Sequence, residues 1–420
     1  MRAFFLLILC LGSLEAEDQA LSATRSAFVQ SLLGAPVVQA AMERLNASHL
    51  TVGAAGRLPD PMLRAGYSRR RSTMDEWPMY EVMLEQPLPR WGERQAMRAK
   101  AEAQKTRSQA EFFEVLGETA AEVANMLAEA QAAREKLALV ESQIARAAAL
   151  QTIVVSRVSS GTGTLAEQLG VKTLLATLTV ERDTMRRMVT DAEEDIAGRL
   201  GLPTNTVLQS FFAEKDTVGQ SGKQKQSVLP PFFAPELKDI WREGLPGVFV
   251  AQAKSAEAQA MFLEARSQRF PETSIGLRYE RENVPGDPMR TIGVQVSISI
   301  PLWQNSTGQQ EESAHALLRA TRLEEKNSEF RAKTLIARAQ RAQTVAASAR
   351  AAALETKTRL DAEYDTLVQS ASTQNGVNLS SVIEVLDRLA ESQRQVIDAE
   401  TTARQAAASL WRLAPPAVME

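Results

Sequence analysis

Two halves of the chain carry the same series of sequence landmarks at a constant separation. In each half a proline opens a short helical pattern, and a second proline leads into an alternating segment with glycine in its middle. The paired landmarks lie 210 residues apart: Pro36 and Pro246, Ala55 and Ala265, Pro61 and Pro271, and Gly66 and Gly276. Four matches at one separation predict an internal duplication.

Each half contains two segments in which apolar and polar residues alternate, as in β-strands with one apolar face. These segments are Met62–Arg70 and Tyr80–Glu85 in the first half, and Ser274–Arg281 and Thr291–Ile300 in the second. The segments that connect them are polar and contain proline, as loops do. We therefore predict β-hairpins over residues 62–88 and 273–301.

A long helical hairpin is predicted after each strand pair. From about Gly92 to Ser159 the chain has no proline and is rich in Ala, Glu, Gln and Arg, and as a helix it would reach about 100 Å. The first hairpin covers residues 92–200 and the second residues 309–413. Helices of this length have no single globular core to cover them, so they must pair along their length.

The N-terminus has the features of a secretory signal. A short basic start precedes an apolar run of about nine residues and a small residue, Ala16, at a plausible cleavage point. The run is too short for a spanning helix, which needs about 20 residues. Cys10, the only cysteine, lies inside the run, and we expect it to be removed with the signal. The mature chain would then form no disulfide.

The predicted layout has five parts. Residues 1–16 are the signal, 17–202 the first repeat, 203–245 a linker, 246–413 the second repeat and 414–420 a C-terminal tail. Each repeat begins with a short helix and continues with its strand pair and its helical hairpin.

Composition argues against several classes of function. The formal net charge of −3 argues against a nucleic-acid partner, because no basic excess is present. The two histidines, His49 and His315, lie far apart without cysteine partners, so no zinc-type or copper-type cluster is visible. The sequence has neither a phosphate-binding glycine loop nor a nucleophile elbow. We expect no enzyme activity, no cofactor and no metal site.

The predicted strands have the length and alternation of transmembrane β-strands, although a hairpin on a soluble core shows the same periodicity. The secretory signal and the aromatic residues at the strand ends favour the membrane. No mature segment has a long uncharged apolar run, so a membrane crossing would have to use strands. Four strands are too few to close a barrel, for which about eight is the usual minimum. A barrel would therefore need several copies of the chain.

Strand alternation assigns side chains to the two faces of such a barrel. Six are expected to face the water inside: Arg64, Glu81, Glu85, Arg278, Glu280 and Gln295. Eight are expected to face lipid: Leu63, Val82, Leu84, Ile275, Leu277, Val294, Val296 and Ile298. Four aromatic residues near the strand ends are typical of interfacial girdles: Trp77, Tyr80, Trp91 and Trp303.

The sequence resembles the outer membrane efflux protein family, the TolC-like channels of Gram-negative tripartite pumps. The resemblance covers nearly the whole mature chain. It is carried by Leu58-Pro59-Asp60-Pro61 before the first strand, by residues 85–94 (EQPLPRWGER) after the second and by residues 299–303 (SIPLW) in the second half. The glycine-containing helical turns and residues 382–387 (VIEVLD) also match. Metal ions, drugs and proteins stay open as cargo, and the heavy-metal efflux type is one candidate.

The resemblance implies a mainly α-helical fold with a small β-barrel part. In such a homotrimer each chain contributes four strands to a twelve-stranded transmembrane β-barrel, and the long helical hairpins form an α-barrel through the periplasm. The implied location is the outer membrane of a Gram-negative bacterium. The implied partners are membrane lipid, a periplasmic adaptor protein and an inner-membrane pump, and the implied activity is passive conduction. The linker and termini would form an equatorial girdle.

The resemblance also assigns roles at the periplasmic end. The helical turns would be the tips that contact the adaptor: Gly161, Gly163, Leu165, Gly376, Val377 and Leu379. They only approximate the family's Val-Gly-Leu tip. Glu384 and Asp387 resemble the positions of acidic rings at the closed entrance, and their spacing of three puts them on one helix face. Six such carboxylates in a trimer would favour cations and bind polyvalent metal ions; the alternative is a solvated helix face.

A protein of another class, a periplasmic coiled-coil adaptor or structural protein with soluble β-hairpins, is the alternative. An adaptor would have one helical hairpin with β-rich segments on both sides. This chain has two helical hairpins, and each follows its own strand pair. The channel is therefore the favoured interpretation.

Overall fold

A computed structural model describes residues 27–71, 76–161, 163–203, 245–283, 288–299, 305–373 and 379–413. The predicted signal, nearly all of the predicted linker and the C-terminal tail lie outside these ranges. Three predicted site residues, Trp303, Gly376 and Val377, also lie outside them, and the side chain of Leu379 is not described.

The two halves have the same order of elements. In the first half, helix α1 is Pro36–Ala54, strands β1 and β2 are Met62–Arg71 and Glu76–Leu88, and helices α2 and α3 are Glu93–Ser159 and Leu165–Leu200. In the second half, α4 is Pro246–Ser267, β3 and β4 are Glu272–Glu282 and Met289–Ser299, and α5 and α6 are Asn305–Thr373 and Leu379–Ala408. A short 3₁₀-helix, Ser409–Arg412, follows α6.

Strand β2 and helix α5 differ most in length from the sequence-based expectation. Strand β2 extends beyond Tyr80–Glu85 at both ends, because the pairing with β1 continues to Glu76 and the pairing with β3 continues to Leu88. Pro78 and Pro87 hid these ends, since proline weakens the strand signal in a sequence. Helix α5 begins at Asn305 rather than at about Gln309.

The ends of α3 show why the chain turns where it does. At its start the Thr164 hydroxyl accepts a hydrogen bond from the Glu167 backbone N–H (3.2 Å), and Thr164 N–H donates to the Glu167 carboxylate (3.1 Å). This reciprocal capping box satisfies two backbone donors. At its end Gly201 has a φ of 66°, and Leu202 N–H donates to the Ala197 carbonyl (3.0 Å). That left-handed glycine cap stops the helix.

The four strands form one antiparallel sheet in the order β1-β2-β3-β4. The β2–β3 pairing, from Met79↔Glu282 to Leu88↔Thr273, joins the two halves of the chain. The described pairs run in unbroken register, so alternate residues keep to one face along each strand. Strands β1 and β4 are the edges of the sheet.

The chain divides into two compact units. The unit that contains the sheet comprises residues 41–112 and 247–331. The other comprises the described parts of residues 1–40, 113–246 and 332–420 and is helical. Its core is built from small and medium side chains such as Leu116, Val123 and Leu127, all fully buried. Trp411 is also fully buried and packs against Phe28, with 6.0 Å between ring centroids.

Charged residues inside the helical unit are paired. Arg404 is only 4% exposed, and its guanidinium lies 3.1 Å from the Glu135 carboxylate and 3.2 Å from that of Glu400. Glu400 also contacts Arg350, at 3.1 Å. A buried charge is tolerated only with such partners, so this network fixes α6 against α2 and α5.

One described helix, α2, contains a window of mean hydropathy 1.2 that is long and apolar enough by composition to cross a membrane. The longest stretch of this helix without a charged residue is residues 147–156, so α2 contains no long uncharged apolar run. A single candidate is weak support for a span, and core helices have the same composition. Helix α2 packs Val140, Ala147 and Leu150 of this region into apolar clusters with other helices, and 33% of the window is buried.

Candidate functional site

One face of the sheet is apolar and exposed. The eight residues predicted to face lipid all lie on it, and their exposure runs from 42% at Val82 to 74% at Val294. They form continuous rows across the strands, such as Leu63–Leu84–Leu277–Val294. An apolar patch of this kind marks a contact with lipid or with another protein.

The height of this apolar face suits a bilayer. On β2 it runs from Leu88 to Tyr80, which is about 27 Å of extended chain. A strand tilt of about 40° would reduce the height to about 20 Å, near the apolar band of transmembrane β-barrels, which is roughly 25 Å tall. That this face contacts lipid stays a prediction.

The opposite face is polar and carries a network of ion pairs. Arg278 lies 2.8 Å from Glu81 and 3.2 Å from Glu280. Glu85 lies 3.2 Å from Arg64 and accepts a hydrogen bond from the Ser274 hydroxyl (2.7 Å). The six residues predicted to face the barrel water, Gln295 included, all lie on this face, since β1 and β3 present even-numbered and β2 and β4 odd-numbered residues there.

The polar face also contains an apolar contact that the sequence did not reveal. Met83, which is 9% exposed, lies over Gly276, and a Cβ at Gly276 would approach the Met83 terminal methyl to 2.9 Å. The absence of a side chain at Gly276 therefore makes room for Met83. At the other described glycines of the sheet, Gly66 and Gly293, an added Cβ would approach no atom closer than 3.8 Å.

The predicted interfacial role of Trp77 is wrong, because its side chain lies on the polar face of the sheet. Trp77 pairs with Arg70 on the polar side of the sheet, whereas an interfacial girdle needs its aromatic rings on the apolar side. An aromatic residue that the sequence-based assignment lacks, Tyr67, lies on the apolar side, three residue pairs nearer the middle of the sheet than Trp77. Its ring lies 5.3 Å from that of Tyr80, its direct cross-strand partner. Tyr67 and Tyr80 thus border the apolar face at its loop end.

Trp91 lies at the other end of the sheet, between β2 and α2, and is 82% exposed. It lines a cavity of about 830 Å³ together with Phe270 and the side chains of Arg90 and Arg94. Its position beyond the strand end agrees with the predicted interfacial role, which stays a prediction.

The turn between α2 and α3 depends on two glycines. Gly161 has a φ of 76°, a conformation that favours glycine. Gly163 N–H donates to the Arg157 carbonyl (2.9 Å), and a Cβ at Gly163 would lie 3.0 Å from Arg157 Cβ and from Val158 N. A larger residue would therefore push the turn apart. The two glycines that predicted a turn here are therefore needed for its backbone conformation.

This turn presents two large apolar side chains to solvent. Leu165 is 77% exposed, and Leu169, one helical turn further along α3, is 67% exposed. Leu169 was not among the predicted tip residues, although a spacing of four puts both leucines on one helix face. Beneath the turn, Val154 of α2, Val171 of α3 and Val382 of α6 belong to one buried cluster, so the turn stands on a packed base.

The predicted acidic pair lies on α6, and its carboxylates have cationic neighbours. Glu384 contacts Arg388 on the same helix at 2.6 Å, and both side chains are more than 60% exposed. Partial desolvation raises the pKa of the Asp387 carboxyl above its ordinary value although the residue is exposed, and the charge of Arg394 partly offsets this. Each of the two carboxylates thus has an arginine near it on the same helix. Among the described residues no cluster of His, Cys, Asp and Glu suits a metal ion.

A model of the Outer membrane efflux protein family matches residues 27–202, which include the first repeat from α1 to α3. The predicted family resemblance is confirmed. The same match supports the outer membrane location that the resemblance implied. No curated protein matches the chain.

Several solved membrane proteins share the fold. A membrane protein from Pseudomonas aeruginosa is 17% identical, with 93% of each chain covered and a TM-score of 0.75. The outer membrane channel OprN is 15% identical, with 94% of this chain and 91% of that chain covered and a TM-score of 0.76. The protein VceC from Vibrio cholerae is 14% identical, with 94% and 96% covered and a TM-score of 0.73.

These likenesses confirm the predicted fold class, with long helices and four strands in each chain. They extend over both halves of the chain, whereas the family model matches the first half alone.

Replacing Val296 with arginine is expected to reduce the yield of folded protein in the outer membrane fraction. Val296 lies within the apolar face beside Ile275 and is 62% exposed, and a cation near the bilayer midplane costs about 2–4 kcal/mol. The control is Gln295→Arg, which puts the same charge on the opposite face of β4. Equal yields for the two variants would contradict the assignment of faces.

Asp387→Asn is expected to stabilise the protein at neutral pH, because the Asp387 carboxylate is more costly to ionise in the folded state. Since the folded pKa is raised, the stability that Asp387 contributes is full at low pH and is lost as the pH rises through that pKa. The gain in Tm should therefore be larger at neutral than at mildly acidic pH. The control, Glu384→Gln, breaks an exposed pair worth at most about 0.5 kcal/mol. An equal gain at both pH values would contradict this account.

Proposed function

We propose that the protein is a homotrimeric outer membrane channel of a tripartite efflux pump. In this proposal it receives substrates from a periplasmic adaptor and an inner-membrane pump and conducts them passively to the exterior. It performs no bond chemistry and needs no cofactor, and selection of the cargo takes place in the pump.

The observation that carries the proposal is a four-stranded sheet with an exposed apolar face and two edges. Strands β1 and β4 form those edges, and an edge in lipid would leave unpaired backbone groups that cost several kcal/mol each. Pairing β4 of one copy with β1 of the next removes every edge. Three copies give twelve strands, enough to enclose a water-filled lumen.

The polar face supports a lumen role. Its charges of both signs lie within 2.8–3.2 Å of one another across the strands, as in Arg278–Glu81 and Arg64–Glu85. Such a surface is hydrated and binds no single ion tightly, because each charge already has a partner. It suits a wide conduit that passes solutes of different kinds.

The helices support assembly from several copies. Helix α5 exposes large apolar side chains outside the sheet, among them Leu323 (67%), Leu335 (50%) and Val345 (65%). Exposed apolar residues along a long helix indicate a protein partner. In the trimer these residues would pack against helices of the neighbouring copy.

The turn between α2 and α3 supports an adaptor contact. It presents Leu165 and Leu169 on a rigid base, and two exposed leucines on one helix face are the kind of anchor that a helical partner covers. The corresponding turn of the second repeat includes Gly376 and Val377, which lie outside the described residues.

Single-channel recording in planar bilayers tests the conducting role. The purified protein is expected to give stepwise conductance, and Arg64→Glu should increase the permeability of cations relative to anions, because it reverses a charge on the polar face. Arg44→Glu, which changes an exposed charge on α1 outside the sheet, should leave selectivity unchanged. Absence of conductance, or the same selectivity shift in both variants, would contradict the proposal.

A further inference from the structure

Four arginines lie on the apolar face of the sheet at the end where the strands are joined by loops. They are Arg69 and Arg71 on β1, Arg281 on β3 and Arg290 on β4, and all four are exposed. The unbroken register puts them on the same side as Leu63, Leu277 and Val294. We call these four residues the arginine belt.

The belt begins where the apolar band ends. Tyr67 and Tyr80 pair with each other, and the same cross-strand row continues through Arg281 to Arg290. Arg69 and Arg71 lie two and four residues beyond Tyr67. Tyrosine rings with their hydroxyl groups at this height are typical of the level of lipid headgroups. The arginines therefore lie at or just beyond that level.

Two arginines of the belt oppose each other directly. Arg281 and Arg290 are cross-strand partners on neighbouring strands, and like charges in that arrangement are destabilising. An anion between the two guanidinium groups would remove the repulsion. A ligand that brings negative charge to this face would therefore stabilise the pair.

Few carboxylates offset the belt within the sheet. On this face of the described strands, Glu76 is the carboxylate at the loop end, and it lies 3.7 Å from Arg71. Arg69 donates from Nε to the Tyr67 hydroxyl (3.1 Å), and Arg281 donates from Nε to the Asn283 side-chain oxygen (3.2 Å). These contacts orient two guanidinium groups, and within the described residues each contact uses one of the five donors of its arginine.

The opposite end of the same face has a different composition. The last described strand residues on this side are Leu63, Gln86, Leu88, Thr273 and Ile298, and none of them is ionisable. Among the described strand residues of this face, the cations thus lie at one boundary of the apolar band. If the role of these arginines were only to meet water at the border of the apolar band, charged residues would be expected at both of its ends.

We infer that the arginine belt binds the phosphate groups of a phosphorylated glycolipid in the outer leaflet of the membrane. The inference rests on the proposed function, in which the helices extend into the periplasm from the other end of the sheet, so that the loop end faces the exterior. Guanidinium groups bind phosphate with two parallel hydrogen bonds. A lipid supplies both the phosphate and the acyl chains that cover the apolar face below, whereas a soluble anion supplies the phosphate alone. The trimer would carry twelve such arginines around its rim.

Native mass spectrometry of the full-length protein in detergent tests this inference. The probes are diphosphoryl lipid A and the same lipid without its phosphates, each added in excess. The wild-type protein is expected to retain the phosphorylated lipid about tenfold better, because only that lipid offers phosphate oxygens to the guanidinium groups. Changing all four belt residues to Gln should abolish the preference without changing the oligomer mass.

A matched pair of double variants keeps the test independent of folding. Arg69→Gln/Arg281→Gln removes two charges from the belt, whereas Arg64→Gln/Arg70→Gln removes two from the opposite face of the same sheet. The first should weaken the preference several-fold and the second should leave it unchanged. Millimolar inorganic phosphate should not displace the lipid.

Equal retention of the two lipids by the wild-type protein, or an unchanged preference in the four-residue variant, would overturn the inference. Full displacement by inorganic phosphate would overturn the lipid as the ligand. A wild-type protein that is monomeric in the same spectra would instead count against the proposed function, so the two failures are distinguishable.

Discussion

The pairing of β2 with β3 is the interaction on which the rest of the structure depends. It joins the strand pairs of the two halves into one sheet in unbroken register. A shift of one residue at this seam would put Leu277 and Val82 on opposite faces, and neither an apolar nor a polar side would then be continuous. Register therefore decides which side chains can meet lipid and which can meet water.

The same constraint explains why a single chain is incomplete. A four-stranded sheet has two edges, and its apolar face exposes residues such as Ile292 and Val294 at 74% each. Within one copy nothing in the described residues covers that face or pairs with those edges. In a cyclic assembly the edge strands of neighbouring copies would pair with each other, and lipid would cover the apolar face. The hypothesis of a membrane barrel therefore accounts for both features. The two halves are not identical, and the acidic pair Glu384 and Asp387 belongs to the second helical hairpin.

The sequence was sufficient for the order of elements and for the faces of the strands, because both follow from periodicity and from proline and glycine positions. It failed at Trp77, because the strand β2 extends through Pro78 and its alternation there is hidden. It also missed Tyr67, Leu169 and the contact of Met83 with Gly276. Those features depend on which residues lie opposite across strands or along an exposed helix face, and a single sequence does not specify that partner. The sequence also did not reveal that Arg394, seven residues along the chain, lowers the pKa of the Asp387 carboxyl.

The mass of the detergent-solubilised protein tests the central claim most directly. If the edges β1 and β4 pair between copies, native mass spectrometry of the full-length protein should give a mass of three chains, stable at high dilution. Substituting proline at Val294, in the middle of the β4 edge, should shift the mass towards one chain, because proline removes a donor from the edge and disturbs its pairing. A wild-type protein that remains a single chain under these conditions would contradict the account.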